Sequence, residues 1–176
     1  MQRCIRKTAS VMILAGLGAL GASQASAQSL STYGTPGLIE LPTAEVLNDG
    51  ELSFTASTFG PNFRYTSTFQ VLPRVYGSFR YAIINRFDDP SNPLGGNRYD
   101  RSFDIHYQIS DQTRFLPAFA VGMRDFLGTG ILSSEYFVAT KSFGSKISVT
   151  GGLGWGRLTG RNSFSNPLGL ISARFD

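Results

Sequence analysis

From residue 52 onward the chain alternates apolar and polar side chains with a period of two. Leu52, Phe54 and Ala56 are separated by Ser53, Thr55 and Ser57. Phe63, Tyr65, Phe69 and Val71 interleave with Arg64, Thr66, Thr68 and Gln70. Val75, Phe79, Tyr81 and Ile83 leave Tyr76, Ser78, Arg80 and Ala82 on the other face. Phe103, Ile105, Tyr107 and Ile109 enclose Asp104, His106 and Gln108, and Ile147, Val149, Leu153 and Trp155 alternate with Ser148, Thr150, Gly152, Gly154 and Gly156. Successive side chains of a strand point to opposite faces, so each run predicts a strand with one apolar and one polar or small face. Two further strands, roughly 115–126 and 132–143, fit by length and turn placement. In the second, Phe137 falls in phase with Glu135 and Ala139, which leaves its facing open. No segment after residue 27 carries a helical stripe. The chain reads as all-β, with about seven strands.

The links between these runs add a second pattern. Leu72-Pro73-Arg74, Ser110 to Arg114 and Gly144-Ser145 read as tight turns. Ile84 to Arg101, Leu127 to Ile131 and the residues from Thr159 onward are longer or richer in Gly, Asn and Pro, and only Gly60-Pro61-Asn62 is short on that side. Short turns at one end and longer loops at the other predict an antiparallel up-and-down outer-membrane β-barrel. Strands of about 9–11 residues also match a tilted membrane crossing. A soluble β-sandwich would show the same alternation. The barrel is favoured because the apolar faces are rich in aromatics, many near strand ends (Phe59, Phe63, Tyr81, Phe103, Phe115, Phe126, Phe143 and Trp155). Aromatic girdles sit at such positions, whereas the neutral or small polar faces are unlike a soluble surface.

Composition sharpens this reading. Only 16% of the 176 residues are charged, while 41% are hydrophobic and 12% aromatic, which excludes charge-rich disorder. The formal charge of +4 rests largely on Arg3, Arg6 and Lys7; the remainder holds 13 basic against 12 acidic residues. No nucleic-acid footprint is left. That basic start, the apolar run Val11 to Leu20 and the small residues Ala25-Ser26-Ala27 predict a signal peptide over 1–27, cleaved before Gln28. The one cysteine, Cys4, lies in the basic region and follows no lipobox. The exported chain is therefore expected to lack disulfides, a thiolate nucleophile and Cys-based metal sites. Residues 28–50 form a Pro- and Gly-rich lead-in, read either as a periplasmic approach or as a small plug, and 51–176 form an incomplete barrel domain.

Several segments carry a resemblance. Asp100-Arg-Ser-Phe-Asp104, Leu116-Pro-Ala-Phe-Ala-Val-Gly-Met-Arg-Asp-Phe126, Gly128-Thr-Gly130, Ser133-Ser-Glu-Tyr136, Gly152-Leu-Gly-Trp-Gly-Arg-Leu158 and Gly34-Thr-Pro-Gly-Leu-Ile-Glu-Leu-Pro-Thr-Ala44 resemble the YjbH family. The similarity runs from about Tyr33 to Phe175. It implies an exopolysaccharide biosynthesis protein of the Gram-negative outer membrane, in contact with membrane lipid, the polysaccharide, other export proteins and the barrel assembly machinery. It brings no catalytic residues with it. Members of that family are longer, and this chain stops at Ser172-Ala-Arg-Phe-Asp176, inside an expected loop. Seven is an odd count where single-chain bacterial barrels have even ones, and open edges are costly in lipid. A truncated product or the N-terminal piece of a larger barrel is expected, with closure by self-association as the alternative.

Candidate chemistry is sparse. His106, the sole histidine, is in phase with Asp104 and Gln108 and should face the lumen. An envelope enzyme acting on lipid or polysaccharide could use it with Ser102 or another serine as nucleophile; a place in a lumenal hydrogen-bond network is the preferred reading. One histidine without clustered carboxylates is a poor metal ligand set. Arg101, Asp104, His106, Arg124, Asp125 and Glu135 are expected to form a lumenal polar cluster, holding the wall by ion pairs or binding sugar hydroxyls. Gly152, Gly154 and Gly156 alternate within a strand and open no helix, so they form a small-residue stripe and no phosphate loop. The expected function is non-catalytic assistance to exopolysaccharide production or export, without cofactor. A general porin-like barrel is the other alternative.

Overall fold

The computed structural model describes residues 30–89, 92–144, 146–159 and 165–170. The expected signal peptide over 1–27 and the terminal Ser172–Asp176 lie outside the described residues. Within the lead-in, β1 (Gly37–Leu38) and β2 (Leu41–Pro42) make a small hairpin. The alternating runs then form β3 (Leu52–Phe59), β4 (Asn62–Leu72), β5 (Val75–Asp89), β6 (Asn92–Ser110), β7 (Ala118–Leu127), β8 (Ser134–Phe143) and β9 (Ile147–Gly154). Each of these seven pairs antiparallel with the next in chain order, and the sheet curls as a half-barrel. Short 3-10 turns at Gly156–Leu158 and Pro167–Leu170 follow. Among the described residues β3 and β9 are the two sheet edges, and no helix is long and apolar enough to cross a membrane.

Two connections differ from expectation. The stretch from Ile84 to Arg101 was expected as a loop, yet β5 runs for 15 residues and β6 for 19. Pairing continues through Ile84↔Arg98, Phe87↔Gly96 and Asp89↔Asn92, with register shifts between them. Gly and Asn in this stretch look like turn residues; here a long hairpin accommodates them through irregular pairing. The expected tight turn from Ser110 to Arg114 is longer, because β7 begins at Ala118. Lys141 Nζ braces it by donating to the carbonyls of Thr113, Arg114 and Leu116.

The sheet is inverted relative to a soluble one. Apolar side chains line the convex face in water-accessible positions, as with Phe54 at 72% exposure, and Leu52, Phe63, Phe69, Phe103, Ile105 and Val149 join it. Phe79 meets Phe103 across the β5–β6 pair with ring centroids 5.0 Å apart, and Phe119 meets Phe137 at 5.7 Å. Cross-strand aromatic contacts of this kind stabilise a sheet face. The concave face is polar and covered: Thr66, Thr68, Gln70, Arg80, Asp100, Ser102 and His106 are all fully buried. A small apolar cluster of Ala44, Ala118, Ala120, Tyr136 and Val138 joins the lead-in to β7 and β8, with Leu158 packed against it.

Candidate functional site

The lead-in lies across the concave face and closes it. Its backbone is held by side chains of the sheet, which is how irregular chain satisfies its buried polar groups without a ladder. Thr68 Oγ1 donates to the Gly34 carbonyl (2.8 Å), Ser57 Oγ to that of Thr32 (2.6 Å) and Gln108 Nε2 to that of Ala44 (2.9 Å). In return, Ala44 N donates to Thr140 Oγ1 and Leu47 N to Gln70 Oε1. Gly34 makes this approach possible: its φ is +78°, and a Cβ there would fall 2.5 Å from both Thr55 Oγ1 and Thr66 Cβ. Only glycine adopts that conformation at no cost and leaves that space.

Three arginines from three strands converge on one residue of the lead-in. The guanidinium carbons of Arg124, Arg64 and Arg80 lie 4.0, 4.4 and 4.7 Å from the Tyr33 ring centroid. Arrangements this close and this buried carry substantial cation–π attraction. Arg80 is neutralised by the sheet itself, donating through both terminal nitrogens to Asp104 at 2.6 and 3.2 Å. Arg64 and Arg124 take their counter-groups from the lead-in. Arg64 pairs with the Glu40 carboxylate at 2.5 Å, and Arg124 Nη1 donates to the Glu40 carbonyl at 3.0 Å.

The acidic side chains gather toward the β7–β8 loop. Asp104 Oδ1 also accepts from Asp125 N (2.8 Å), Asp100 accepts from Thr129 Oγ1, and Asp125 Oδ2 accepts from Leu132 N (3.2 Å). The register between β6 and β7 steps from Phe103↔Leu127 to Ile105↔Met123, giving β7 two additional residues, and Asp125 adopts φ 54°. This bulge turns Arg124 and Asp125 inward together, which strict alternation forbids.

His106 occupies the middle of the face. Its ring stacks on Tyr76 with centroids 4.5 Å apart and planes 9° from parallel, and Nδ1 sits 2.9 Å from the Tyr136 hydroxyl. Tyr136 in turn covers Gly122, directly opposite on β7, where a Cβ would come within 2.3 Å of the tyrosine ring. An aromatic ring laid over a neighbouring strand's glycine fills the gap that glycine leaves. Ser102 shares the face but lies four positions away on the same strand, roughly 13 Å at the usual rise. The Ser102–His106 pair therefore has no hydrogen-bonded geometry.

Of the six residues expected to cluster, Asp104, His106, Arg124 and Asp125 meet on the concave face. Arg101 does not. It is exposed, in phase with Phe103, with its guanidinium 5.9 Å from the Tyr81 ring. One strand position separates it from Asp100 and Ser102, and in a strand one position reverses the facing. Glu135 is buried at an edge of the cluster, where Asn166 Nδ2 donates to its Oε2 (3.0 Å). Tyr33, Glu40, Arg64, Arg80, Asp100, Tyr76 and Tyr136 complete the site. Strand parity alone pointed to Arg64, Tyr76 and Arg80, which alternate with apolar neighbours, whereas nothing local marked Tyr33 or Glu40. Of the expected glycine stripe, Gly152 and Gly154 lie in β9 and border a cleft of about 160 Å³ with Leu41, Pro42, Tyr136 and Leu158, whereas Gly156 leaves the strand and opens the 3-10 turn at φ 64°. Among the described residues no group of three or more His, Cys, Asp or Glu side chains is placed to hold a metal ion.

A face of buried arginines, carboxylates and hydroxyls suits hydrogen bonding to polyhydroxylated ligands. No solved structure matches the chain. It is similar to an uncharacterized lipoprotein, YjbH, of Escherichia coli strain K12, at 33% identity over 150 residues. The match covers 84% of this chain and 21% of that protein, so the chain spans about a fifth of its curated relative. Residues 29–176 match the family model described as exopolysaccharide biosynthesis protein YbjH, and the chain belongs to the YjbH family.

Proposed function

We propose that this chain forms part of the wall of an outer-membrane β-barrel that assists exopolysaccharide production or export without catalysing a reaction. The observation that carries this reading is the inversion of the sheet, with aromatics and aliphatics outward and buried charge inward. Contiguous exposed apolar surface of that extent needs an apolar environment, and a barrel wall in lipid provides one. The family's polysaccharide role and the relative's description as a lipoprotein support an envelope location. The polar concave face would contact the polymer through hydrogen bonds, and the remaining strands of a longer protein, or other copies, would close the barrel. The partners of such a wall are outer-membrane lipid, the polysaccharide, other export proteins and the barrel assembly machinery.

The test joins fractionation with a phenotype. Boiled and unboiled outer-membrane fractions should show a heat-modifiable band for the full-length protein, and deleting its gene should lower secreted polysaccharide while cytoplasmic sugar-transferase activity persists. A soluble band that does not shift with heat, or unchanged polymer yield, would sink the proposal.

A further inference from the structure

Of the three arginines around Tyr33, two are balanced by a segment that is not part of the sheet. Arg64 is 5% exposed and Arg124 is 2% exposed, yet the carboxylate on Arg64 and the carbonyl on Arg124 both come from Glu40. Arg124 Nη2 is buried without a hydrogen bond. Arg80, by contrast, has its own sheet carboxylate in Asp104. The contacts that seat the lead-in are mostly hydrogen bonds with hydroxyl and amide side chains, donated by Thr68 and Gln108 and accepted by Thr140, which sugar hydroxyls or water replace readily. The lead-in thus presents the Glu40 carboxylate to Arg64 and the Glu40 carbonyl to Arg124 within a hydroxyl-lined trough.

We propose that Arg64 and Arg124 form a binding site for the carboxylate of an acidic saccharide, which Glu40 occupies in this structure as an internal stand-in. The inference rests on the polysaccharide-contacting role proposed above and names the chemical class of polymer that role would serve. Guanidinium forks match carboxylates in shape and charge, whereas a neutral sugar offers only hydroxyls. Displacing the lead-in exposes both arginines together with the ring-stacking surfaces of Tyr76 and Tyr136.

The experiment measures binding of trigalacturonate, maltotriose and inorganic phosphate to the full-length protein in detergent micelles. Heat-modifiable mobility is checked for every variant. Glu40→Gln removes the competing charge and keeps the side chain's shape. It should raise trigalacturonate affinity by about tenfold, the difference between a charged and a neutral hydrogen-bonded partner, and leave maltotriose unchanged. Adding Arg124→Gln to that variant should abolish the gain, and Arg124→Lys, which keeps the charge and packs more conservatively, should abolish part of it. A heat-modifiable Glu40→Gln protein with no gain overturns the inference and leaves the barrel reading intact. So does a gain indifferent to Arg124, and so does phosphate binding in place of trigalacturonate. Loss of heat-modifiability in the unaltered protein overturns the barrel reading instead.

Discussion

The imidazole of His106 lies flat against the phenol ring of Tyr76, centroids 4.5 Å apart and 9° from parallel. A histidine held face-on in this way, with Nδ1 at the Tyr136 hydroxyl, is a packing element of the concave face. His106→Asn should cost about 1 kcal/mol through loss of the stack, seen as a lower temperature for the heat-modifiable transition, with polysaccharide output preserved. A folded His106→Asn protein with output reduced to the level of a gene deletion would instead make the histidine a general base.

Asp104 neutralises fully buried Arg80 and accepts a hydrogen bond from Asp125 N. Asp104→Asn should destabilise the sheet by roughly 3 kcal/mol, since an unpaired buried charge remains. Urea unfolding in micelles reads this directly. The double variant Arg80→Met, Asp104→Leu should recover most of the loss, as apolar replacements of buried ion pairs often do.

Gly34→Ala forces a Cβ into Thr55 and Thr66 at a left-handed φ. The lead-in should lift from the trough while the sheet stays paired. Limited proteolysis should then cut between residues 30 and 47 in the variant and spare that stretch in the parent protein. Equal resistance in both would show that the trough yields around the added methyl group.

Facing decides tolerance on β6. If the proposed barrel wall faces lipid, Ile105→Arg places a charge on its outer apolar face and should cost about 2–4 kcal/mol, removing the protein from outer-membrane fractions. Arg101→Ala, on that same face beside Tyr81, should leave the fractionated amount unchanged.

Period-two patterning made most of the strand facings legible from sequence. Asp104, His106 and Gln108 face inward as their spacing from Phe103 and Ile105 requires. Arg101 lies within the motif Asp100 to Asp104, but its odd offset from Asp104 places it on the far side. The joint inward turn of Arg124 and Asp125 depends on a register step between two strands, which a single strand's pattern does not encode. The β5–β6 extension was hidden because Asn92, Pro93, Gly95, Gly96 and Asn97 have loop composition. Glu40 and Tyr33 escaped because their arginine partners Arg64, Arg80 and Arg124 lie 24 to 91 positions away. Contacts of that range follow from curvature of the sheet and leave no local trace.

The fit of Tyr136 over Gly122 binds the histories of two positions together. A lineage that gains even an alanine at 122 has no room for the ring opposite, and a smaller residue at 136 takes with it the hydroxyl that steadies His106. Substitution at either site therefore propagates to the other and then to the stack on Tyr76, so the positions 76, 106, 122 and 136 should be inherited as a set or replaced as one.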